Sequence, residues 1–519
     1  MKLQIIACLL GSAFFIKAQT FKVTKGEPFE VKKSSWTNDV SGSDTTGFYY
    51  FKSTGGYFST KYILQKFDLK TSKLVYEKDI DLSGDAYLGG KGYYIGSYNK
   101  NGKILLFTNA IKGKQNHLLM QEFDCMTGKE LGAPLVVKEL VDTKAYIISG
   151  AELGYFIKFS PDNKKMLLVA EIKRSKKEQN VVGVLYDLAG YKEIWEKPLL
   201  STFENSTIWS FDYCIDNDGN FSYLFSYLRS DKKETYTKGK TIYEYSDIAH
   251  GIGMIPNGTS KNTAIAIPSK DITTLDPKLE IINYKLVCRG QYRKGELVSI
   301  ANGMHENVGF FLLTIDAIKA KIISQSFDYL NEDLMTKLTY SDRGKTYAQA
   351  GNKYYKDYKV FCINDCFYQV RLRTIDDGYV GAKGKEIIIY KYNAGNKLEW
   401  MKLISRSTDY ELNGVGFIVT KKLNLLYYES SENLDLYLKA DEYDAKKYKT
   451  VKSPKKGVLI CTGIDDKGNV TREKLPIGTE NHILDRFNYN DLAIKDKNEY
   501  IIPVLISSTQ RRYDILEIE

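Results

Sequence analysis

The sequence predicts an all-β protein, and three observations support this. The 519 residues include 40 Tyr and 23 Phe, a composition that suits pleated surfaces better than helices. Short apolar runs, such as KILLFTNAI from Lys103 and EIIIYKY from Glu386, are bounded by Gly, Asn, Asp or Lys and have the length of strands. No long stretch has the 3.6-residue periodicity of an amphipathic helix.

Several of these runs are apolar at consecutive positions, which means that both faces of those strands are covered. Helices cover both faces of a parallel sheet, but the sequence contains no helical pattern that could do so, and sheets must therefore cover sheets. This leaves two architectures: an array of sandwiches or a propeller.

Internal repetition favours the propeller. An apolar strand ends in Asp or Asn, and a Lys and a second apolar segment follow; the copies are at Asp68, Asp124, Asp187, Asp316, Asn393 and Asp465. The interval between the third and fourth copies is about double the others, which predicts a degenerate copy near Tyr245 to Asp247. We therefore expect a β-propeller of about seven blades, with six or eight as alternatives. Pairing of the N- and C-terminal strands would close the ring and remove exposed sheet edges.

Three turn motifs carry a resemblance to known families. FSPDNKKMLLV, residues 159–169, resembles the blade turn of WD-repeat and TolB-like propellers, with Asn163 where Gly is usual. FDLKTSKLVY and FDCMTGKEL are similar to the outer hairpins of quinoprotein-like propellers, and CIDNDGNFSYLF resembles another blade turn. More broadly, the chain is similar to exported propeller proteins of Gram-negative bacteria, many of them uncharacterised. This resemblance implies a fold and not an activity.

The first 18 residues predict export. One Lys precedes an apolar run from Leu3 to Ile16, and Ala18 offers a small residue for cleavage, as in a secretory signal peptide. The mature chain, residues 19–519, would be a single propeller domain in the periplasm, on the outer-membrane surface or outside a Gram-negative cell. No later apolar segment predicts a membrane span, and we expect no nucleic-acid partner for an exported chain.

Two cysteines are close enough in sequence to predict a disulfide. Cys362 and Cys366 flank what reads as a three-residue hairpin loop, and facing residues across such a loop lie within bonding reach in an oxidising compartment. We expect no metal site there, because the sequence offers no third or fourth ligand nearby.

Clustered aromatic residues are the candidate ligand-binding positions. They are Tyr49, Tyr50, Tyr57, Tyr354, Tyr355 and Tyr358. Tyr offers a flat apolar face and a hydroxyl group, which suits stacking on sugar rings or contact with a peptide. The alternative is that these tyrosines pack between blades.

No catalytic constellation is evident in the sequence. Asp216, Asp218 and Asn220 imitate a calcium loop but lack its Gly and its terminal Glu, so we expect a hairpin turn. YSDRGKTY, residues 340–347, resembles an Asp-box, which sialidases and non-catalytic propellers share. The four histidines are scattered, and there is no nucleophile elbow or P-loop. We therefore expect a non-catalytic protein without cofactor or metal that binds a protein, peptide or glycan. The alternative is a carbohydrate-active enzyme with a site at the central channel.

Overall fold

The fold is taken from a computed structural model of the chain. It describes residues 21–30, 35–36, 40–54, 61–84, 90–112, 115–141, 155–174, 179–199, 206–207, 212–238, 241–259, 261–268, 272–294, 308–329, 355–375, 383–405, 416–439, 457–477, 483–484, 499–505 and 510–518.

These residues form 36 strands, which the structure arranges in eight antiparallel sheets. The N-terminal strands are β1 (Phe21–Thr24) and β2 (Phe29–Glu30). The first sheet contains β3 (Ser35–Trp36), β4 (Val40–Ser43), β5 (Gly47–Thr54), β6 (Lys61–Asp68) and β7 (Leu74–Ile80). The second contains β8 (Ser83–Gly84), β9 (Gly90–Lys100), β10 (Lys103–Lys112), β11 (Gln115–Asp124) and β12 (Leu135–Val141).

The third sheet contains β13 (Tyr155–Phe159), β14 (Lys165–Arg174), β15 (Gln179–Asp187) and β16 (Lys192–Pro198). The fourth contains β17 (Ser206–Thr207), β18 (Tyr213–Ile215), β19 (Phe221–Lys238), β20 (Thr241–Ile255) and β21 (Thr263–Ala266). The fifth contains β22 (Ile272–Ile282), β23 (Lys285–Lys294), β24 (Val308–Asp316) and β25 (Lys321–Tyr329).

The sixth sheet contains β26 (Tyr355–Ile363), β27 (Cys366–Ile375), β28 (Lys383–Tyr392) and β29 (Leu398–Ser405). The seventh contains β30 (Gly416–Val419), β31 (Leu423–Ser430), β32 (Gly457–Ile464) and β33 (Val470–Lys474). A 3₁₀ turn (Ser431–Asn433) and the short helix α1 (Leu434–Lys439) follow β31. The eighth sheet contains β34 (Ile483–Leu484), β35 (Glu499–Leu505) and β36 (Gln510–Ile518), together with β1 and β2.

Within the first seven sheets the strands follow one another in chain order, from an inner strand to an outer one, whereas in the eighth sheet β1 and β2 from the start of the chain pair with β36 from its end. The inner strands of neighbouring sheets contact one another: β4 contacts β9, and β18 contacts both β13 and β22. The second and third strands are buried on both faces, which explains their consecutive apolar residues. Within the described segments, no helix has the length and apolarity needed to span a bilayer.

Eight core clusters lie between the sheets, and each joins side chains of two sheets. Seven of them link sheets that are successive in the chain. In the eighth, Phe48 and Phe67 of the first sheet pack with Ile501 and Tyr513 of the eighth sheet. The predicted all-β propeller fold is therefore confirmed, with eight blades, which was an alternative to the expected seven.

The eighth sheet escaped the repeat count because it is made from the two ends of the chain. β1 pairs with β36, with Phe21 opposite Ile518, so no turn joins these two strands and the repeated turn motif is absent there. Between β1 and β2, the amide of Gly26 donates to Asp514 Oδ1 at 3.2 Å. The ring of Phe29 stacks on Tyr513 with the centroids 5.3 Å apart.

The repeated Asp forms a self-contained turn between the third and fourth strands of a blade. Asp124 Oδ1 accepts hydrogen bonds from the amides of Met126 and Thr127 at 3.0 and 2.8 Å and from the Thr127 hydroxyl at 2.7 Å. The turn ends at Gly128 with φ +67°, a left-handed conformation that glycine adopts without strain. Because all the residues of such a turn are neighbours in the chain, the turn can be predicted from the sequence.

The degenerate copy near Tyr245 to Asp247 was a wrong prediction. These residues lie within β20, and the corresponding turn of the fourth sheet is at Pro256, Asn257 and Gly258, where the Pro256 carbonyl accepts from the Thr259 amide at 3.4 Å. The reason is the long hairpin of β19 and β20, with strands of 18 and 15 residues, which shifts the turn along the chain.

Candidate functional site

The first predicted ligand-binding tyrosines lie in the core and not on a rim. Tyr49 is 0 % exposed and packs between the first and second sheets, where its hydroxyl donates to Asp44 Oδ2 at 2.5 Å. Tyr50 is buried on the opposite face and stacks on Tyr513 with the centroids 4.7 Å apart. Their assignment as ligand-binding residues is therefore corrected: successive residues of a strand covered on both faces are both buried.

For the other four tyrosines, ligand binding stays a prediction, because the structure does not describe their side chains. Tyr57 and Tyr354 lie outside the described residues. Tyr355 and Tyr358 belong to β26, but their side chains lie outside the described part. The Asp-box-like residues 340–347 also lie outside it.

The predicted disulfide between Cys362 and Cys366 is not formed, and both thiols are free. The hairpin loop has two residues, Asn364 and Asp365, both with positive φ, so that Ile363 pairs with Cys366 and Cys362 pairs with Phe367. The two cysteines consequently point to opposite faces of the sixth sheet, Cys362 toward the fifth sheet and Cys366 toward the seventh. Burial raises the pKa of both thiols.

The calcium-loop imitation is a hairpin turn, as predicted. Asp216 Oδ1 accepts from the Asn220 amide at 2.8 Å, and Asp216 Oδ2 accepts from the Asn220 side chain at 2.7 Å. Both carboxylate oxygens are therefore used within the turn. Among the described residues no three His, Cys, Asp or Glu side chains are grouped as a metal site.

The candidate functional site is a group of charged residues on and next to the inner strands of three sheets, which sequence analysis missed. This inner-edge group comprises Lys158 on β13, Asp212 just before β18, Lys278 and Glu280 on β22, and Arg289 on β23. Lys158 and Lys278 are exposed, whereas Asp212 and Glu280 are half-buried and Arg289 is buried. Three successive sheets thus contribute charge to one part of the inner edge.

Asp212 is the residue that connects these sheets. Its Oδ2 accepts from the Leu279 amide at 2.6 Å, an N–H that β22 does not use in pairing with β23. The Asp212 carbonyl accepts from the Leu224 amide of its own sheet at 3.2 Å. An inner strand has an unpaired edge, and here a carboxylate of the preceding blade satisfies one of its donors.

The environment of Asp212 makes it the most chemically distinctive carboxyl of the group. Burial raises its pKa, against the lowering effects of the Leu279 amide and of the charges on Lys158 and Lys278, while Glu280 contributes a further increase. A carboxyl with a raised pKa next to ammonium groups is a candidate for binding or proton transfer.

Arg289 extends the group into the interface of the fifth and sixth sheets. Its Nη2 is 2.5 Å from Glu280 Oε1, and the guanidinium is buried. From the facing sheet, Arg371, which is 0 % exposed, donates from Nη2 to the Gly290 carbonyl at 2.8 Å and lies 3.6 Å above the centroid of Phe310. Two permanently charged groups are therefore fixed in one interface.

A sequence signal for this interface exists. The runs CRGQYR from Cys288 and YQVRLR from Tyr368 put Arg and Gln at alternate positions, and alternate residues share one face of a strand. Arg289 and Gln291 thus face Gln369 and Arg371 across the interface. Polar residues in otherwise buried strands of two neighbouring repeats indicate such a polar interface.

Comparison with known proteins adds similarity of fold only. No family model matches the chain, and no curated sequence matches it. The β-propeller domain of the Trilobed protease from Pyrococcus furiosus has 10% identity and a TM-score of 0.36, with 88% of this chain and 99% of that chain covered. The polysaccharide lyase Uly1 has 10% identity and a TM-score of 0.40, with 95% and 99% covered. An oligogalacturonate lyase from Vibrio parahaemolyticus has 8% identity and a TM-score of 0.35, with 79% and 93% covered.

The class of protein that the eight sheets and their interfaces define is the β-propeller.

Proposed function

We propose that the protein is an exported, non-catalytic binding or scaffolding propeller that recognises a protein, peptide or glycan. The observation that carries this proposal is the inner-edge group, in which Lys158 and Lys278 are exposed on either side of Asp212. Exposed ammonium groups bind anionic or hydroxyl-bearing ligands without any bond having to break. The rigid sheets around them hold these groups at fixed spacing.

Two further elements of the proposal concern the molecule as a whole. Cleavage after Ala18 would release the mature chain beyond the inner membrane, in keeping with the apolar leader. Pairing of β1 with β36 would close the ring, and the packing of Phe48 against the eighth sheet supports this. The resemblance to WD-repeat, TolB-like and quinoprotein-like propellers stays a prediction.

A screen of the mature protein tests the binding proposal. The protein is applied to a glycan array and to an immobilised peptide library, and each hit is measured again with Lys158→Ala/Lys278→Ala. We expect this double variant to bind each ligand about tenfold more weakly or worse, because it loses hydrogen bonds from charged donors. The control is Lys192→Ala/Lys321→Ala, two exposed lysines on outer strands. If the two double variants bind a ligand with equal affinity, the inner edge is not the binding site.

The raised pKa of Asp212 favours one alternative, a carbohydrate-active enzyme that uses this carboxyl in proton transfer. Asp212→Asn separates the two functions, because an Asn oxygen can still accept from the Leu279 amide but cannot transfer the proton. Any glycan that the wild type degrades should persist with the variant if the alternative holds. Binding that survives in Asp212→Asn, with no glycan degraded by either protein, supports the non-catalytic proposal.

A further inference from the structure

Met126 occupies an unusual position on the turn between β11 and β12. Its side chain is 56 % exposed, and its sulfur lies 3.3 Å from the ammonium nitrogen of Lys66 and 3.4 Å from the hydroxyl oxygen of Thr46. The Thr46 hydroxyl has one hydrogen, which Asp44 Oδ1 can accept at 2.7 Å. Lys66 is therefore the donor that faces the sulfur.

Lys66 is a buried cation with weak partners. It is 2 % exposed, and its ammonium donates to Thr46 Oγ1 at 3.0 Å and lies 5.5 Å from the centroid of the Tyr49 ring. Among the described residues, no carboxylate oxygen lies within ion-pair distance of this ammonium. A thioether is a weak acceptor, so a buried ammonium facing one is poorly compensated.

From this geometry we infer that Met126 is a site of oxidation by hydrogen peroxide, promoted by Lys66. A lone pair of the Met126 sulfur attacks one peroxide oxygen, the S–O bond forms and the O–O bond breaks. The sulfur loses two electrons and the peroxide gains them. The departing hydroxide takes a proton from the Lys66 ammonium and leaves as water. The proton on the oxygen that is now bound to sulfur then passes to the Lys66 amine, which restores the ammonium and leaves the neutral sulfoxide.

The product suits the site better than the thioether does. The sulfoxide oxygen is a strong acceptor and forms next to the Lys66 ammonium, which then gains a polar partner. The other described methionines lack this arrangement. Met120, Met166 and Met254 are buried, and Met401 is half-buried between the fifth and sixth sheets.

The test follows oxidation of the folded mature protein by hydrogen peroxide, using mass spectrometry of its peptides. N-acetylmethionine amide in the same tube is the reference for an unassisted thioether. A hydrogen bond from a charged donor to the departing oxygen should make Met126 react about tenfold faster than this reference. Partial burial without assistance would make it slower, so a rate equal to or below the reference overturns the inference.

Variants then assign the effect to the ammonium. Lys66→Gln should lower the Met126 rate about tenfold, while Lys66→Arg should retain most of the rate because it keeps the charged donor. The control is Lys70→Gln, at the position of the neighbouring turn that corresponds to Met126. An unchanged rate in folded Lys66→Gln contradicts the inference. If circular dichroism shows that this variant is unfolded, the wild-type comparison with the free amide decides.

Discussion

Gly253 provides a direct test of the packing in the fourth sheet. It lies opposite Tyr223 in the pairing of β19 with β20, and a Cβ atom at this position would be 2.1 Å from Tyr223 Cζ. The ring has little room to move, because it is 0 % exposed, packs against Phe221 with the centroids 5.5 Å apart and accepts a hydrogen bond from Asn262 Nδ2 at 2.8 Å.

Gly253→Ala should therefore destabilise the protein although Gly→Ala usually favours a strand. Overpacking costs about 1–3 kcal/mol, and the reduced entropy of the unfolded chain offsets about 0.4–1 kcal/mol of it. We expect a net loss of about 1–2 kcal/mol, seen in urea unfolding as a lower midpoint with an unchanged slope.

Two further variants isolate the cause. Gly190→Ala is the matched control, since a Cβ there meets nothing within 4 Å, and it should be neutral or slightly stabilising. In a Tyr223→Leu background the added methyl group has space, so Gly253→Ala should cost less than it does alone. Equal midpoints for Gly253→Ala and Gly190→Ala, or the same cost in both backgrounds, would refute the reasoning.

Three other outcomes are expected. Asp514→Asn should cost about 3 kcal/mol because it leaves the buried guanidinium of Arg512 without its carboxylate, whose oxygens are 2.8 and 3.1 Å away, and Arg512→Met in addition should recover most of the loss in thermal unfolding. Folding raises the pKa of Asp212 above the reference value of 3.8, so the stability that this carboxyl contributes is present below pH 3.8 and is lost as the pH rises through the folded pKa. Asp212→Asn should therefore remove this part of the pH dependence of unfolding and stabilise the protein at pH 7. Unfolding curves that match those of the wild type both below pH 3.8 and at pH 7 would contradict this. Alkylation of the unreduced, denatured protein should label both Cys362 and Cys366, and a peptide linking them would show that the assigned hairpin register is wrong.

The features that the sequence predicts well are those set by neighbouring residues. Asp68 and Asp124 each form their turn with residues two and three positions later, so the motif can be read without knowing the fold. The consecutive apolar runs likewise indicate sheets covered on both faces. The same reasoning favours the alternative given for Tyr49 and Tyr50, packing between blades, and both residues lie there.

The candidate site depends on contacts that no local pattern contains. Asp212 and Leu279 are 67 positions apart, and the hydrogen bond between them exists because two blades meet at that height of the inner edge. The disulfide prediction was wrong because the hairpin loop has two residues instead of three. This difference of one residue puts Cys366 on the opposite face of the sheet from Cys362. The relative register of strands therefore limits what the sequence can predict here.

The eighth sheet has a consequence for biosynthesis. Lys22 and Glu517, which face each other in it, are 495 positions apart, so a ribosome must complete almost the whole polypeptide before this contact can form. Until then Phe48 and Phe67 have no cover from Ile501 and Tyr513, and their aromatic surface is available to other nascent chains. We expect truncated products that stop before Gln510 to aggregate, however many complete blades they contain.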